Sequence, residues 1–431
     1  MSIGRRFYTD VTISQYPQRS ISVASNIDAN LGVITFTLSS NLESGVVLNY
    51  ALPNTATSDF VEGNSGNITV NGSGGATVVR TLNRYVNYSN TNVSSRLEIT
   101  SLAGTNLANS ANFVIAPAAP LTATGGNITT VGANVVHTFT SNANLVVSSV
   151  GEVASETVRS LLVGGGGKGG AATTFNEIFI GAYNQWSRGS SGGGGAGGVL
   201  QPNLSVTAFS VTTYPIVVGS GGRQPNIGEN DSVRHGANTV AFGYTAIGGG
   251  TSSVGTQSFM NGGSGGGGTS NTQFGVGTVG QGSNGGTGAT FSTSNPPTLT
   301  RVSSYSGGGG GATTAGANIS SPSSHIQAGG AGGTGIASDI TGSNVTYAGG
   351  GGGGGYIAGT GGSGGGGAGG YFTNQSGATA PGSNGTNGLG AGGGGAGFGG
   401  ANGTNTYQGG DGGSGVVVIT YRSQYRVIKP A

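Results

Sequence analysis

The chain's imidazoles are three, His137, His235 and His325, and any metal or acid–base chemistry would have to begin with them. A metal site needs several such ligands at short, regular spacing, and these three show none. No cysteine occurs, which removes disulfides, thiolate nucleophiles and cysteine metal sites together. The pattern G-x-S-x-G occurs at residues 262–266 and 361–365, yet in sequence this rich in glycine it is expected by chance. Matches to G-x-G-x-x-G are equally uninformative, since no βαβ unit surrounds them. Beyond His235 the charged residues are Arg301, Asp339, Asp411, Arg422, Arg426 and Lys429, too sparse for paired carboxylates that cleave glycosides. Sequons such as Asn67-Ile68-Thr69 predict no glycan without a secretory signal. The expectation is a protein that is not an enzyme and has no metal and no cofactor.

Residues suited to recognition are easier to find. The segment AATTFNEIFIGAYNQWSR, 171–188, sets Phe175, Phe179, Tyr183 and the only tryptophan, Trp186, close together between two glycine runs. Exposed, such a cluster marks a binding surface, because aromatic anchors dominate interfaces. Buried, the same residues would cover the flank of a neighbouring structure that lacks apolar side chains; both readings stay open. Further contact loops are expected at 291–305, at 320–327 with His325, and at 371–381 with Tyr371 and Phe372. The first 20 residues form a polar arm in which Arg5, Arg6, Phe7, Tyr8, Tyr16 and Arg19 offer adaptable donors and aromatic anchors for docking on a partner protein. An unattached terminus is the alternative.

These residues sit in an unusual composition. Of 96 glycines, 12 precede residue 151 and 84 lie from residue 151 onward. Charged residues make up 6%, against about 25% in typical domains, and the formal net charge is +2. So weak a field steers neither nucleic acid nor an anionic membrane surface. Low charge also argues against the commonest kind of disorder. No apolar h-region follows the basic start and no run approaches the ~18 apolar residues of a membrane span. A soluble protein made in a cytoplasm is expected.

The elements that must position the recognition residues are short strands. Strand patterns occur at 21–24, 33–38, 46–52, 67–70, 76–82, 96–99 and 111–116, separated by Asn, Gly, Ser and Asp clusters. In 33–38, Ile34, Phe36 and Leu38 share one face. Such spacing predicts an antiparallel β-sandwich over 21–117. After the hinge Ala116-Pro117-Ala118-Ala119-Pro120, further strands are expected at 135–140, 144–149, 157–163, 204–211, 214–218 and 239–244, with a last one at 416–421. The glycine-rich region is therefore framed by apolar strands. A flexible tether has no use for such a frame.

The glycine runs recur: 192–198 and 364–370 are both GGGGAGG, and 164–170 differs only by Lys168. Others lie at 262–268, 307–311, 329–333, 349–355 and 392–400. Collagen is excluded because glycine does not recur at every third position with abundant proline. An α-helix is excluded by propensity, and a sheet without side-chain pairs is poorly stabilised. Polyproline II geometry remains, with its outward-pointing N–H and C=O groups bonded to neighbouring helices. Uninterrupted runs are expected at the centre of such a bundle, and runs broken by Ala196, Lys168 or Ser264 at its periphery.

The ordered segments TVRSLLVGGGGKGG, SGGGGAGGVL, TTYPIVVGSGG, ANTVAFGYTAIGGG and GGSGVVVITYR resemble, over roughly 122–422, the glycine-rich domain of bacteriophage tail and virion proteins. That domain is similar to the polyglycine II sandwich at the tips of T-even-type tail-fibre adhesins, where loops between helices contact the host receptor. Residues 20–117 resemble the Calx-beta or immunoglobulin-like modules attached to phage structural proteins, through Asn54-Thr55-Ala56-Thr57-Ser58-Asp59-Phe60 and Gly66-Asn67-Ile68-Thr69-Val70. The acidic calcium-binding clusters of true Calx-beta domains are missing, so metal binding is not implied.

The resemblance implies an all-β chain. A docking arm, 1–20, leads to an immunoglobulin-like sandwich, 21–117; a β-framed polyglycine II bundle, 118–422, and a tail, 423–431, follow. The implied role is a non-enzymatic virion protein, a tail-fibre or baseplate appendage, with capsid decoration or a head fibre as the alternative. Implied partners are other phage structural proteins and a host surface receptor, protein or glycan, without nucleic acid or membrane insertion. Host receptor, anchoring terminus and oligomeric state, a homotrimer among the options, stay open.

Overall fold

The structure is a computed structural model that describes residues 19–86, 91–154, 156–172, 176–180, 183–227, 229–252, 257–295, 299–320, 327–371, 380–397 and 408–431. It is mostly β: among the described residues there is no α-helix, only short 3-10 turns between small sheets that are antiparallel with one exception. The chain divides into two compact units.

The first unit comprises Met1–Pro120, Gly151–Ser155 and Gln424–Ala431. Strands Ile21–Asp28, Val33–Ser40 and Gly75–Thr81 form one sheet; Ser65–Thr69, Val47–Ala51, Glu98–Thr100 and Asn106–Asn109 form a second. Alternation works as expected in Val33–Ser40, where Ile34, Phe36 and Leu38 enter the core and their neighbours do not. Phe113 sits at the middle of that core, its ring 6.0 Å from Phe36 and 6.4 Å from Phe60. A third sheet joins Val93–Ser95 and Phe113–Pro117 to Arg426–Pro430. The last residues, expected as a tail, thus carry a strand that completes the N-terminal unit. Its Arg426 is buried and donates to Asp59 Oδ1 at 2.8 Å, while the Asp59 carboxylate also accepts from the Ala56 N–H at 2.7 Å.

The second unit comprises Leu121–Val150 and Glu156–Ser423. Its main sheet runs Asn127–Val131, Asn134–Phe139, Val416–Arg422, Thr157–Val163, Val199–Leu200, with Asn203–Ser205 also paired to Thr157–Val163. Val416–Arg422 is buried on both faces, which explains the unbroken apolar run VVVI at its start. One face, with Val417 and Ile419, packs on Phe139, Leu162 and Ile216. The other, with Val416 and Val418, packs on Leu161, Val163, Ala196 and Ala348, so small residues of the glycine runs meet the sheet directly. Two sequence expectations change here. The strand expected at 204–211 stops at Ser205, whose hydroxyl accepts from the Thr207 N–H at 3.2 Å and starts a 3-10 turn. The strand expected at 239–244 is a hairpin, Thr239–Ala241 against Tyr244–Ala246, turning at Phe242 and Gly243.

The glycine runs are neither helix nor strand, yet most of their residues are buried and bonded to neighbouring segments. Their bonds repeat every three residues. In 349–355, the N–H groups of Gly349, Gly352 and Gly355 donate to Gly364, Gly367 and Gly370; those of Gly350 and Gly353 to Gly333 and Gly330; those of Gly351 and Gly354 to Gly194 and Ser191. The carbonyls accept in the same rhythm. Gly349 and Gly352 take Gly392 and Gly395, Gly350 and Gly353 take Gly362 and Gly359, and Gly351 and Gly354 take Gly309 and Ser306. One run is thus held by six neighbouring segments, three through its donors and three through its acceptors. Run 164–170 repeats the rhythm: Gly164, Gly167 and Gly170 donate to Gly198, Gly195 and Gly192, Gly165 and Lys168 to Ala237 and Arg234, Gly166 and Gly169 to Gly413 and Gly410.

The expectation that interrupted runs lie at the periphery is overturned. Ala196, Lys168 and Ser264 are all buried, and run 192–198 exchanges bonds with as many neighbours as 349–355 does. Ala196 joins the apolar cluster under the main sheet. Lys168 Nζ donates to the Gly409 carbonyl at 2.6 Å and to Asp411 Oδ1 at 2.8 Å. The Ser264 hydroxyl donates to the Gly311 carbonyl at 3.2 Å. A side chain is admitted wherever it replaces a neighbour's contact instead of separating two backbones.

Candidate binding surfaces

Two of the expected contact segments come together. Asn176–Ile180 and Tyr183–Gly189, from the aromatic insertion, form a four-stranded sheet with Leu299–Tyr305 and Ala289–Asn295. In this sheet Phe179 pairs with Asn184, and Trp186 pairs with Glu177 on one side and Arg301 on the other. The junction between Tyr183–Gly189 and Leu299–Tyr305 is parallel, so it needs a long crossover, which the intervening glycine-rich chain supplies. At its inner end the sheet is pinned by buried Tyr305, packed with Ala289 and Ile319. There the Ser190 hydroxyl donates to the Ser304 carbonyl at 2.7 Å. Thr290 and Ser292 are exposed while Phe291 between them is half-buried, so this end of the sheet has a hydroxyl-bearing outer face.

Tyr371 follows a glycine run, is 43% exposed, and its carbonyl accepts from the Ala380 N–H at 3.0 Å. Phe175, His325 and Phe372 lie outside the described residues, as do Arg5, Arg6, Phe7, Tyr8 and Tyr16 of the arm. Arg19 is exposed at the edge of the described chain.

The residues with chemical potential are engaged in packing. His137 is buried, with Nδ1 2.8 Å from the Gly125 carbonyl and Nε2 3.0 Å from the Tyr421 hydroxyl. The carbonyl fixes the proton on Nδ1, so Nε2 accepts from the phenol. Burial pushes its pKa below the ordinary imidazole value despite the Gly125 bond. Burial also lowers that of His235, whose ring lies 5.5 Å from Phe259. Ser264, the serine of one G-x-S-x-G match, has no exposed surface. Among the described residues no three His, Asp or Glu side chains gather as a metal site, and no helix is long and apolar enough to cross a membrane. The Glu229 carboxyl is held at about 2 by the hydrogen bonds it accepts from Arg223 and the Asn226 N–H, an exposed arrangement at the surface.

One feature escaped sequence reading: a half-enclosed cavity of about 360 Å³ beside Phe209, Tyr214 and Phe242. Its signal was present in AFGY, 241–244, where a phenylalanine precedes glycine at a hairpin turn that ordinarily takes Asn-Gly.

A mostly β fold whose larger unit is held by bonded glycine runs defines the class of protein, and comparison agrees. The sequence matches the glycine-rich domain over residues 140–422, and the chain belongs to that family. No curated protein and no solved structure matches it significantly.

Proposed function

We propose that the protein is a non-enzymatic bacteriophage virion component, a tail-fibre or baseplate appendage that carries host-binding loops on a polyglycine II bundle. The observation that carries this reading is the three-residue rhythm of bonds around run 349–355, since polyglycine II has three residues per turn and no bonds within its own helix. A rod built this way is held along its whole length by main-chain bonds, which suits an element that must present loops rigidly outside a particle. The aromatic insertion and segment 289–305, joined in one sheet, would form part of the contact surface. The first unit, with three small sheets around one core, would be an immunoglobulin-like sandwich serving as the mounting module. Attachment to other virion proteins would run through the arm containing Arg5, Arg6, Phe7 and Tyr8. The phage assignment itself rests on the ordered sequence resemblance described above.

Antibody labelling of intact particles under the electron microscope tests the reading. Label at the distal tail is expected. Label over the capsid would favour a head fibre or decoration, and particles free of label would overturn a virion role.

A further inference from the structure

We propose that the cavity beside Phe209, Tyr214 and Phe242 is a binding site for an uncharged aromatic ring about the size of an indole. The three rings form one wall, with centroids 5.4 Å apart for Phe209–Tyr214 and for Phe209–Phe242, and 5.7 Å for Tyr214–Phe242. Their planes are inclined at 71°, 70° and 57°, which leaves ring faces and edges for a further aromatic partner in offset or edge-on contact. Leu204, Val240 and Pro215 complete an apolar lining, and the volume of about 360 Å³ lies at the lower end of small-molecule sites.

The second observation is backbone strain. Phe242 has φ +52°, a left-handed conformation that an aromatic residue rarely adopts, at the turn position where Asn is ordinarily found. Asn would make the same turn with less strain, so the phenylalanine is kept for its ring, which packs on Phe209 and Tyr214 at the margin of the apolar cluster. The same ring is a wall of the cavity, so the strained turn fixes an aromatic surface in its lining.

The lining also selects the ligand. Among the described residues no charged side chain borders the cavity, so an ion would lose its hydration without gaining a partner. The polar side chain there is Tyr214, whose oxygen already accepts from the Ser210 N–H at 2.7 Å, leaving its proton for a ligand acceptor or for Ser210 Oγ at 3.3 Å. A sugar would bury several hydroxyls against this wall unpaired. An aromatic ring with at most one polar atom matches what the wall offers.

Titration of the full-length protein with indole, followed by calorimetry and by saturation-transfer NMR, tests the proposal. N-acetyl-tryptophan amide and glucose serve as second and third probes. Saturable indole binding without glucose binding is expected. Phe242→Asn should keep the turn while weakening indole about tenfold or more. Ala208→Trp, which fills the cavity from its exposed rim, should also weaken indole binding. If N-acetyl-tryptophan amide binds at least as tightly as indole, the ring belongs to a partner's side chain; if indole alone binds, the ligand is a free compound. Absence of saturation, glucose matching indole, or unchanged indole affinity in Phe242→Asn overturns the proposal.

Discussion

Phe113 and Gly352 hold the middle of two different kinds of core. Around Phe113, side chains from three small sheets interdigitate, and the main chain bonds along the ladders and in the turns between them. Around Gly352 there are no side chains: its N–H donates to Gly367, its carbonyl accepts from Gly395, and the neighbouring residues bond four further segments. The first core is stabilised by apolar burial, which depends on volume and tolerates a change of shape. The second is stabilised by directional bonds between buried backbones, where a side chain can be added only if it does not separate two of them. Ordering so much glycine is entropically costly, and only near-complete bonding can offset it. The comparison predicts that the two regions fail for opposite reasons, one by losing atoms and the other by gaining them.

The largest expected effect is at the glycine array. Gly352→Ala would place a methyl group against the carbonyls of Gly359 and Thr360. Separating those segments leaves two to four main-chain groups unpaired at about 1–3 kcal/mol each, so a loss on the order of 5 kcal/mol is expected. Segment-resolved hydrogen exchange should show protection collapsing across 349–355 and its partners. Retained protection would mean that the array can open without disrupting its bonds.

Phe113→Ala should cost about 3–5 kcal/mol by creating a cavity in the first unit. In the same experiment, exchange should rise over 33–40, 47–51 and 113–117. A loss confined to the glycine-rich region would break the comparison.

The pH dependence is smaller and has a definite sign. His137 and His235 have folded pKa values depressed by burial. Below the ordinary imidazole pKa of about 6.5 the unfolded chain binds protons that the folded chain resists. Stability is therefore unaffected above that pH and falls as the pH drops through it toward the folded values, by about 1.4 kcal/mol for each unit of depression. His137→Gln should flatten part of this decline in urea titrations between neutral and mildly acidic pH. An identical slope in the variant would assign the acid sensitivity elsewhere.

What could be read from sequence follows the same division. Where side chains make the core, their pattern is visible: Ile34, Phe36 and Leu38 alternate, and Val416 to Ile419 are uniformly apolar because both faces of their strand are buried. Where the backbone makes the core, GGGGAGG carries no information about its neighbours, since every register of glycine on glycine looks alike. The six partners of run 349–355 are set by where the flanking strands deliver the chain, and that is not local. The same non-locality hid the final strand, Arg426–Pro430: a short run with Arg and Lys reads as a tail until Asp59 is placed beside Arg426. The burial of Ala196 was missed because it depends on the cluster under the main sheet, which the run itself does not encode. The aromatic insertion was legible as a unit, but its pairing with Ala289–Asn295 and Leu299–Tyr305 was not.

The smallest effect sharpens the comparison most, because it uses the same substitution as the largest. Gly72 lies in a turn of the first unit, closed by the Gly74 N–H donating to the Asn71 carbonyl at 3.0 Å. The Asn71 side chain accepts from the N–H groups of Ser73 and Gly75, so the turn is held without any contribution from Gly72. Its backbone is not in the left-handed region, and a Cβ there would meet open space. Gly72→Ala removes conformational freedom from the unfolded chain without a clash in the folded one, so a gain of about 0.4–1 kcal/mol is expected. Urea unfolding of Gly72→Ala beside Gly352→Ala should give shifts of opposite sign. If both variants lose stability, Gly72 is constrained in a way the turn does not require; if neither does, the glycine array is not the close-packed backbone core inferred from its bonds.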